Sequence, residues 1–337
     1  MHIYSSSRAV RVGIAGATGY AGQELVALLA RHPNVDIRAA MSSSPDSAAR
    51  PMPRLTRVFQ GTLEPLNREK LASECEFVFL AVPEAASADL GDALVKAGVR
   101  VIDLSGAFRI KDDAQRARWY PATKSLPEGV AYGLVEHYRA DVKDARLVAC
   151  PGCYPTAALL ALLPLAKNGL IDAQADIIVD AKSGISGAGR TPSDRTHFCE
   201  NHGSVSAYGI FGHRHVAEME QEIGGQVTFV PHLVPLDRGI LETIYAKAAP
   251  GVTAERIADA MQAAYAQEPF VRLTGDALPE IKHVAWTNFC DIGWRFDAES
   301  RRIVLVSCLD NLVKGAAGQA LQNFNVICGF DERTALL

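Results

Sequence analysis

Two cysteines three positions apart, in Cys150-Pro-Gly-Cys153-Tyr-Pro-Thr156, are the most pointed chemistry in this chain. The following stretch, TAALLALLPLAKNG, predicts a helix that starts after Pro155 and stops at Gly169. A cysteine just ahead of a helix sits among free backbone N–H groups and a positive helix end, and both favour the thiolate. The same N–H groups can hold an oxyanion. Three chemistries fit the motif: a covalent nucleophile at Cys153, a thiol redox pair, or half of a zinc site. A zinc site needs a second pair, and the chain has no other Cys-x-x-Cys. A thioredoxin-like pair is expected in a much smaller βαβ frame. The nucleophile is the favoured reading, and no metal is expected.

A nucleophile needs a base. The histidines that qualify are His197, His202, His213 and His215. From position 215 onward HVAEMEQEI predicts a helix, and an imidazole near a helix N-terminus is held neutral, as a base or proton relay requires. Residues two apart on a helix face nearly opposite sides. If both are helical, only one of the pair can face the thiol; His215 is the first choice and His213 the second. His197, Cys199 and His202 do not match a standard metal spacing.

Two segments read as anion sites. Lys182-Ser-Gly-Ile-Ser-Gly-Ala-Gly-Arg190 follows a predicted strand, is rich in small residues and has a cation at each end; Ser183, Gly184 and Arg190 are its substrate candidates. Arg109, in DLSGAFR after another strand, offers a forked guanidinium to phosphate oxygens.

Near the N-terminus a strand runs into Gly13-Ile-Ala-Gly16-Ala-Thr-Gly19-Tyr-Ala-Gly22. Glycines at a strand-to-helix turn let backbone approach a pyrophosphate, which the helix dipole then favours. The spacing is a glycine every third residue rather than the strict fingerprint, but the context fits. Gly16, Ala17, Thr18, Gly19 and Tyr20 are the dinucleotide-binding candidates. The second strand ends in Met41-Ser42-Ser43-Ser44, with no carboxylate before Asp46 to take a ribose 2′-OH. Hydroxyls at Ser42, Ser43 and Ser44, with charge from Arg50, predict NADP(H) rather than NAD.

These groups need elements to carry them. Strands are predicted at 9–16, 35–41, 76–82 and 99–104, with helices at 20–31 and 85–97, an alternation that marks a parallel sheet wrapped by helices. Beyond about residue 150 the strand candidates lengthen and spread out, at 175–182, 226–234, 239–248 and 302–309, which predicts a mixed or antiparallel sheet in a second domain. Residues 310–327 read as a final helix, with small residues at Gly315 to Gly318 for close approach. The fold class is therefore α/β. The 337 residues are 48% hydrophobic and 21% charged, with a formal charge of −4, so nothing pulls the chain toward nucleic acid or an anionic membrane. No apolar run is long enough to cross a bilayer. Seven scattered cysteines and no secretory signal predict reduced thiols and a cytoplasmic location.

Taken together, GIAGATGYAGQELVALLARHP, FVFLAVPEAAS, VIDLSGAFR, ACPGCYPTA, KSGISGAGR, HRHVAEME and DNLVKGAAGQALQ resemble the N-acetyl-γ-glutamyl-phosphate reductase family, in its longer-chain branch, nearly from end to end. The resemblance implies a Rossmann-type NADP-binding domain at 1–152 and 315–337. It implies a glyceraldehyde-3-phosphate-dehydrogenase-like α+β catalytic and oligomerisation domain with a mixed sheet at 153–314. It also implies NADPH-dependent reduction of an acyl phosphate through a cysteine thioester, in arginine biosynthesis, by a homo-oligomer, dimer or tetramer. Carried across by motif, Cys153 matches the nucleophile and His215 the proton-transfer histidine. Ser186 and Gly187 fall on a loop that meets cofactor or substrate. Asn311 and Lys314 fall near the nicotinamide, and Ala81, Pro83 and Ser105 on strand ends at the cofactor. Arg109 looks like a phosphate-binding arginine of aspartate-semialdehyde dehydrogenase. The alternatives are a reductase of aspartyl or carrier-linked aminoadipyl phosphate, and a non-enzymatic NADP-binding redox sensor with a Cys150–Cys153 disulfide.

Overall fold

The structure is a computed structural model that describes residues 8–43 and 48–337; Ser44 and Asp46 lie outside the described residues. The chain divides into two compact units, one of residues up to Pro151 with Ala316–Leu337, and one of Gly152–Gly315.

In the first unit seven strands form one sheet: β1 (Val10–Ala15), β2 (Val35–Met41), β3 (Leu63–Glu64), β4 (Phe77–Leu80), β5 (Arg100–Asp103), β6 (Val130–Tyr132) and β7 (Leu147–Ala149). Its helices are α1 (Tyr20–Leu29), α2 (Arg68–Glu74), α3 (Glu84–Lys96), α4 (Asp113–Trp119) and α5 (Val135–Asp144). Every strand pairing is parallel, in the order β3-β2-β1-β4-β5-β7-β6. The Phe-Val-Phe-Leu run of β4 is buried at all four positions, as a strand covered on both faces must be. Phe77 and Phe79 enter the core shared with Leu25 and Leu29 of α1, while Val78 and Leu80 enter the core shared with Leu90 and Leu94 of α3. The direction of travel reverses between β1 and β4, so the ends of these two strands flank the crevice where doubly wound sheets take ligands.

The second unit begins with α6 (Cys153–Lys167) and continues through β8 (Ile177–Gly184), α7 (Phe198–Asn201), β9 (Ser206–Ala207), α8 (His215–Ile223), β10 (Val227–Val234) and β11 (Ile240–Lys247). It closes with α9 (Ala254–Tyr265), β12 (Val271–Leu273), α10 (Ile281–Val284), β13 (Cys290–Asp297) and β14 (Arg302–Leu309). The sheet is mixed, in the order β12-β13-β14-β11-β8-β10-β9. Helix α6, buried from Tyr154 to Leu165, packs on β11, β14, α8 and α9. After Gly315 the chain returns to the first unit, where Phe324 of α11 (Gly318–Cys328) meets Phe77 edge-on at 5.1 Å.

Several elements depart from expectation. Helix α6 starts at Cys153, not after Pro155, because a proline in the first turn lacks only an N–H that the helix does not use. The segment at 310–327 does not enter an α-helix at once. Asp310 Oδ1 accepts from the N–H groups of Leu312 and Val313, a π-helical turn spans Val313–Ala317, and α11 follows. The strand at 175–182 lies two residues later, and β13 and α9 were not anticipated. In β13 the polar Asp291 obscures the strand pattern. It is buried because Arg272 clasps its carboxylate at 2.6 and 2.9 Å.

Candidate active site

Cys153 is the first residue of α6, half-buried, with Gly152 as an N-cap that brings no side chain. The first bond of this helix runs from Thr156 N to Gly152 O at 2.8 Å. Pro155 has no N–H, so the donors outside the helical ladder at this end belong to Cys153 and Tyr154. That is the arrangement that lowers a thiol pKa and receives an oxyanion.

Helix α8 brings His215. His215 Nε2 lies so close to Gly152 that a Cβ added there would stand 2.5 Å from it. Gly315 approaches from another direction, where an added Cβ would be 2.8 Å from that of Cys153. Both glycines therefore make room around Cys153. Beneath His215, the fully buried Glu218 accepts from Gly152 N at 3.0 Å and stands 4.0 Å from His215 Nε2. Glu218 ties the turn before Cys153 to the helix of His215. Sequence reasoning missed it, although its place three residues after His215 puts it on the same helix face.

His213 does not lie on the opposite side from His215. It precedes α8 and is not helical, so the helical argument does not apply, and the two rings stand 4.6 Å apart at 66°. The Tyr154 ring meets both histidines edge-on at 6.0 Å, and its hydroxyl lies 3.3 Å from that of Tyr208. The guanidinium of Arg195 sits 4.9 Å over the Tyr208 ring. Burial, reinforced by the Arg214 charge, lowers the His213 pKa to about 4.

Several other candidates in this unit gather at the end of β8. Asn311 donates to Ser186 Oγ at 2.9 Å and accepts from Gly239 N at 2.7 Å. A Cβ on Gly187 would be 2.8 Å from the buried Ser183 Oγ, and one on Gly184 would meet the Arg238 backbone at 2.7 Å. Arg190 is exposed beyond this turn. Lys314 is not part of the group: it is fully buried, with its ammonium 5.8 Å over the Phe270 ring. A buried pair that sequence reasoning also missed joins Arg238 to Asp310 at 3.1 Å.

The remaining candidates lie in the first unit. Gly16 has φ +92°, and an added Cβ would be 2.2 Å from the carbonyl oxygen of Ala81, at the end of β4. Gly16 N and Ala17 N both donate to Met41 O, which ties β1 to the end of β2. Gly19 caps α1 with no side-chain bond, leaving Tyr20 at an open helix N-terminus. Thr18 presents its carbonyl to Gln23 Nε2 at 3.0 Å, and Pro83 caps α3. This cradle of glycine, open helix end and switch point fits a dinucleotide pyrophosphate. Ser42 is buried, its N–H held by Glu64 O, and Ser43 is exposed. Among the described residues the carboxylate paired beside the end of β2 is Glu64, which is ion-paired with Lys70 at 2.6 Å. Ser105 closes its turn on the buried Asp103 carboxylate at 2.9 and 3.0 Å. Arg109 is also buried and donates to its own loop at Leu104 O, 2.9 Å away. That bond engages one nitrogen of the guanidinium.

Among the described residues no group of three His, Cys, Asp or Glu is placed to hold a metal, and no helix is long and apolar enough to cross a membrane. All seven cysteines are thiols rather than disulfides.

Comparison with known proteins agrees with this arrangement. The family model described as the semialdehyde dehydrogenase NAD binding domain matches residues 11–145, and the semialdehyde dehydrogenase dimerisation domain matches residues 153–311. Fold and domain order are thus those of the semialdehyde dehydrogenases. N-acetyl-gamma-glutamyl-phosphate reductase from Brevibacillus brevis is 44% identical over 97% of this chain and 98% of its own length, and that from Pelotomaculum thermopropionicum is 45% identical at the same coverage. The chain belongs to the N-acetyl-γ-glutamyl-phosphate reductase family. Aspartate semialdehyde dehydrogenase II from Vibrio cholerae, solved with ASA, shares the fold with a TM-score of 0.73 at 20% identity, over 95% of this chain and 98% of that one. The Candida albicans aspartate semialdehyde dehydrogenase, solved with NADP, gives 0.68 at 17% identity, over 95% of this chain and 98% of that one.

Proposed function

We propose that this chain catalyses the NADPH-dependent reduction of N-acetyl-γ-glutamyl phosphate to N-acetylglutamate 5-semialdehyde and phosphate, the arginine-biosynthesis reaction named by its relatives. The observation that carries the mechanism is the stacking of His215 Nε2 on Gly152, immediately before Cys153 at the head of α6. His215 takes the thiol proton, and the Cys153 sulfur attacks the acyl carbon. The bond to the phosphate oxygen breaks, and a thioester remains. NADPH, when bound, supplies the hydride that reduces the thioester carbon. The N–H groups of Cys153 and Tyr154 hold the resulting hemithioacetal oxyanion. Its collapse breaks the C–S bond, releases the aldehyde and returns the sulfur as thiolate, which the His215 proton restores to thiol. Glu218 holds the turn and the base in register throughout. Gly16, Ala17, Thr18, Gly19 and Tyr20 would hold the pyrophosphate of NADP(H), and the serines after β2 its 2′-phosphate.

The chain works as a homo-oligomer in the cytoplasm. The matched dimerisation model supports the first point. So does the outer face of the second sheet, where Ile178 and Tyr245 are cross-strand neighbours and both exposed. The reaction is tested in reverse, with N-acetylglutamate 5-semialdehyde, phosphate and NADP. NADPH forms only when all three are present. Turnover of aspartate semialdehyde in preference, or turnover independent of phosphate, contradicts the reading.

A further inference from the structure

We infer that His213 is a fixed hydrogen-bond donor: its Nε2–H holds an oxygen of the acyl substrate, while proton transfer belongs to His215. The inference rests on the reaction proposed above, but its physical basis is a single backbone contact.

The N–H of His215 points at His213 Nδ1, 3.2 Å away. An amide N–H only donates, so Nδ1 must carry the lone pair. The ring's one proton is then on Nε2. Protonating Nδ1 would set two N–H groups against each other and break this contact. The ring's position is fixed as well. Tyr154, Tyr208, His215 and Phe229 meet it at centroid distances between 4.6 and 6.0 Å, three of these rings from other elements or loops. Gly209, at φ +59°, closes behind it, where an added Cβ would be 3.5 Å from that of His213. Among the described residues Nε2 has no hydrogen-bond partner, and the half-buried ring leaves it to meet a ligand.

The charged and titratable groups around the ring do not favour a second proton. Arg214 is the adjacent cation, and its charge acts with burial to keep the ring neutral. Tyr154 and Cys153 come from α6 and Tyr208 from the loop before; burial raises both tyrosines, so they stay neutral too. Of the three carboxylates on α8, Glu218 is engaged with Gly152 N, Glu220 accepts from Val227 N and Glu222 from Gln221. His215 has the opposite placement, against the nucleophile's turn and above Glu218. Two imidazoles 4.6 Å apart therefore divide the work, one moving a proton and one giving a hydrogen bond.

The test has two arms. NMR of the enzyme with ¹⁵N-labelled histidine, assigned by difference with His213→Gln, reads the proton's position without substrate. The expected result is a neutral Nε2–H ring from about pH 5.5 to about pH 8. Titration near neutrality, or an Nδ1–H ring, overturns the inference. In kinetics His213→Phe should raise KM for the semialdehyde about 10- to 100-fold and change kcat much less, as for a lost bond to a polar substrate group. His213→Gln, which keeps an N–H donor, should recover most of that loss, with an unchanged pH profile. A Gln variant as impaired as Phe, or a pH limb lost in both, overturns it. A wild-type enzyme without phosphate-dependent turnover would remove the proposed reaction, and the NMR arm would still decide the state of the ring.

Discussion

Gly152 shows how narrowly the site is built at the scale of single residues. The absence of a side chain there lets the His215 imidazole rest on the backbone beside Cys153. Gly152→Ala would put a methyl 2.5 Å from Nε2, with Glu218 holding the same turn from below, so the ring must move. A displacement of that size at a reacting group costs about 100-fold in rate. The expected outcome is a fall in kcat of that order with NADP affinity unchanged, read by steady-state kinetics and fluorescence titration; unchanged kcat contradicts the assigned geometry. The cysteine and both histidines were legible in the sequence because their chemistry is carried by residue type next to a helix signal. Glu218 was not, because a carboxylate in an amphipathic helix looks like a solvated face until the partner helix is in place. Arg109 is buried in the loop after β5, where one arm of its guanidinium donates to Leu104 O.

Among the elements, β11 carries an unusual load. Its buried face alternates Ile240, Glu242, Ile244 and Ala246, and Glu242 faces the interior between Ala181 and Ser307 of the neighbouring strands. Neither carboxyl oxygen has a hydrogen-bond partner among the described residues, and burial holds the pKa of Glu242 well above the ordinary 4.5. The folded chain therefore keeps a proton that the unfolded chain releases above about pH 4.5. Stability falls as pH rises from there toward the folded value, and below it the group is neutral in both states and has no effect. Glu242→Gln should match the wild type near pH 4 and be the more stable near pH 8, in urea unfolding followed across pH. A difference between the two that does not vary with pH contradicts this. Element positions were read well where patterns were strong, as in β2, β14 and α8. They were misread where tertiary contacts override pattern: the start of α6, where prolines occupy the first turn, and β13, where Arg272 makes a buried aspartate tolerable.

At the scale of the whole molecule, each unit contributes one competence. The first, with its parallel sheet and glycine turn at the switch point, is built to hold a dinucleotide; the second carries Cys153, His215 and the Asn311–Ser186 turn. The change in strand length near residue 150 made the two sheets legible, because buried parallel strands are short and apolar whereas the longer strands of the mixed sheet alternate. The preference for NADP rested on the absence of a carboxylate after β2. The structure adds Glu64, which lies beside that strand end only through sheet pairing, and the Lys70 that neutralises it. The central claim is that the acyl group passes through the sulfur of Cys153. Intact-protein and peptide mass spectrometry after rapid mixing with N-acetyl-γ-glutamyl phosphate, without NADPH, tests it most directly. One acyl adduct is expected on the peptide containing Cys153, discharged when NADPH is added and absent in Cys153→Ser. An enzyme that turns over while this peptide never gains mass would contradict it.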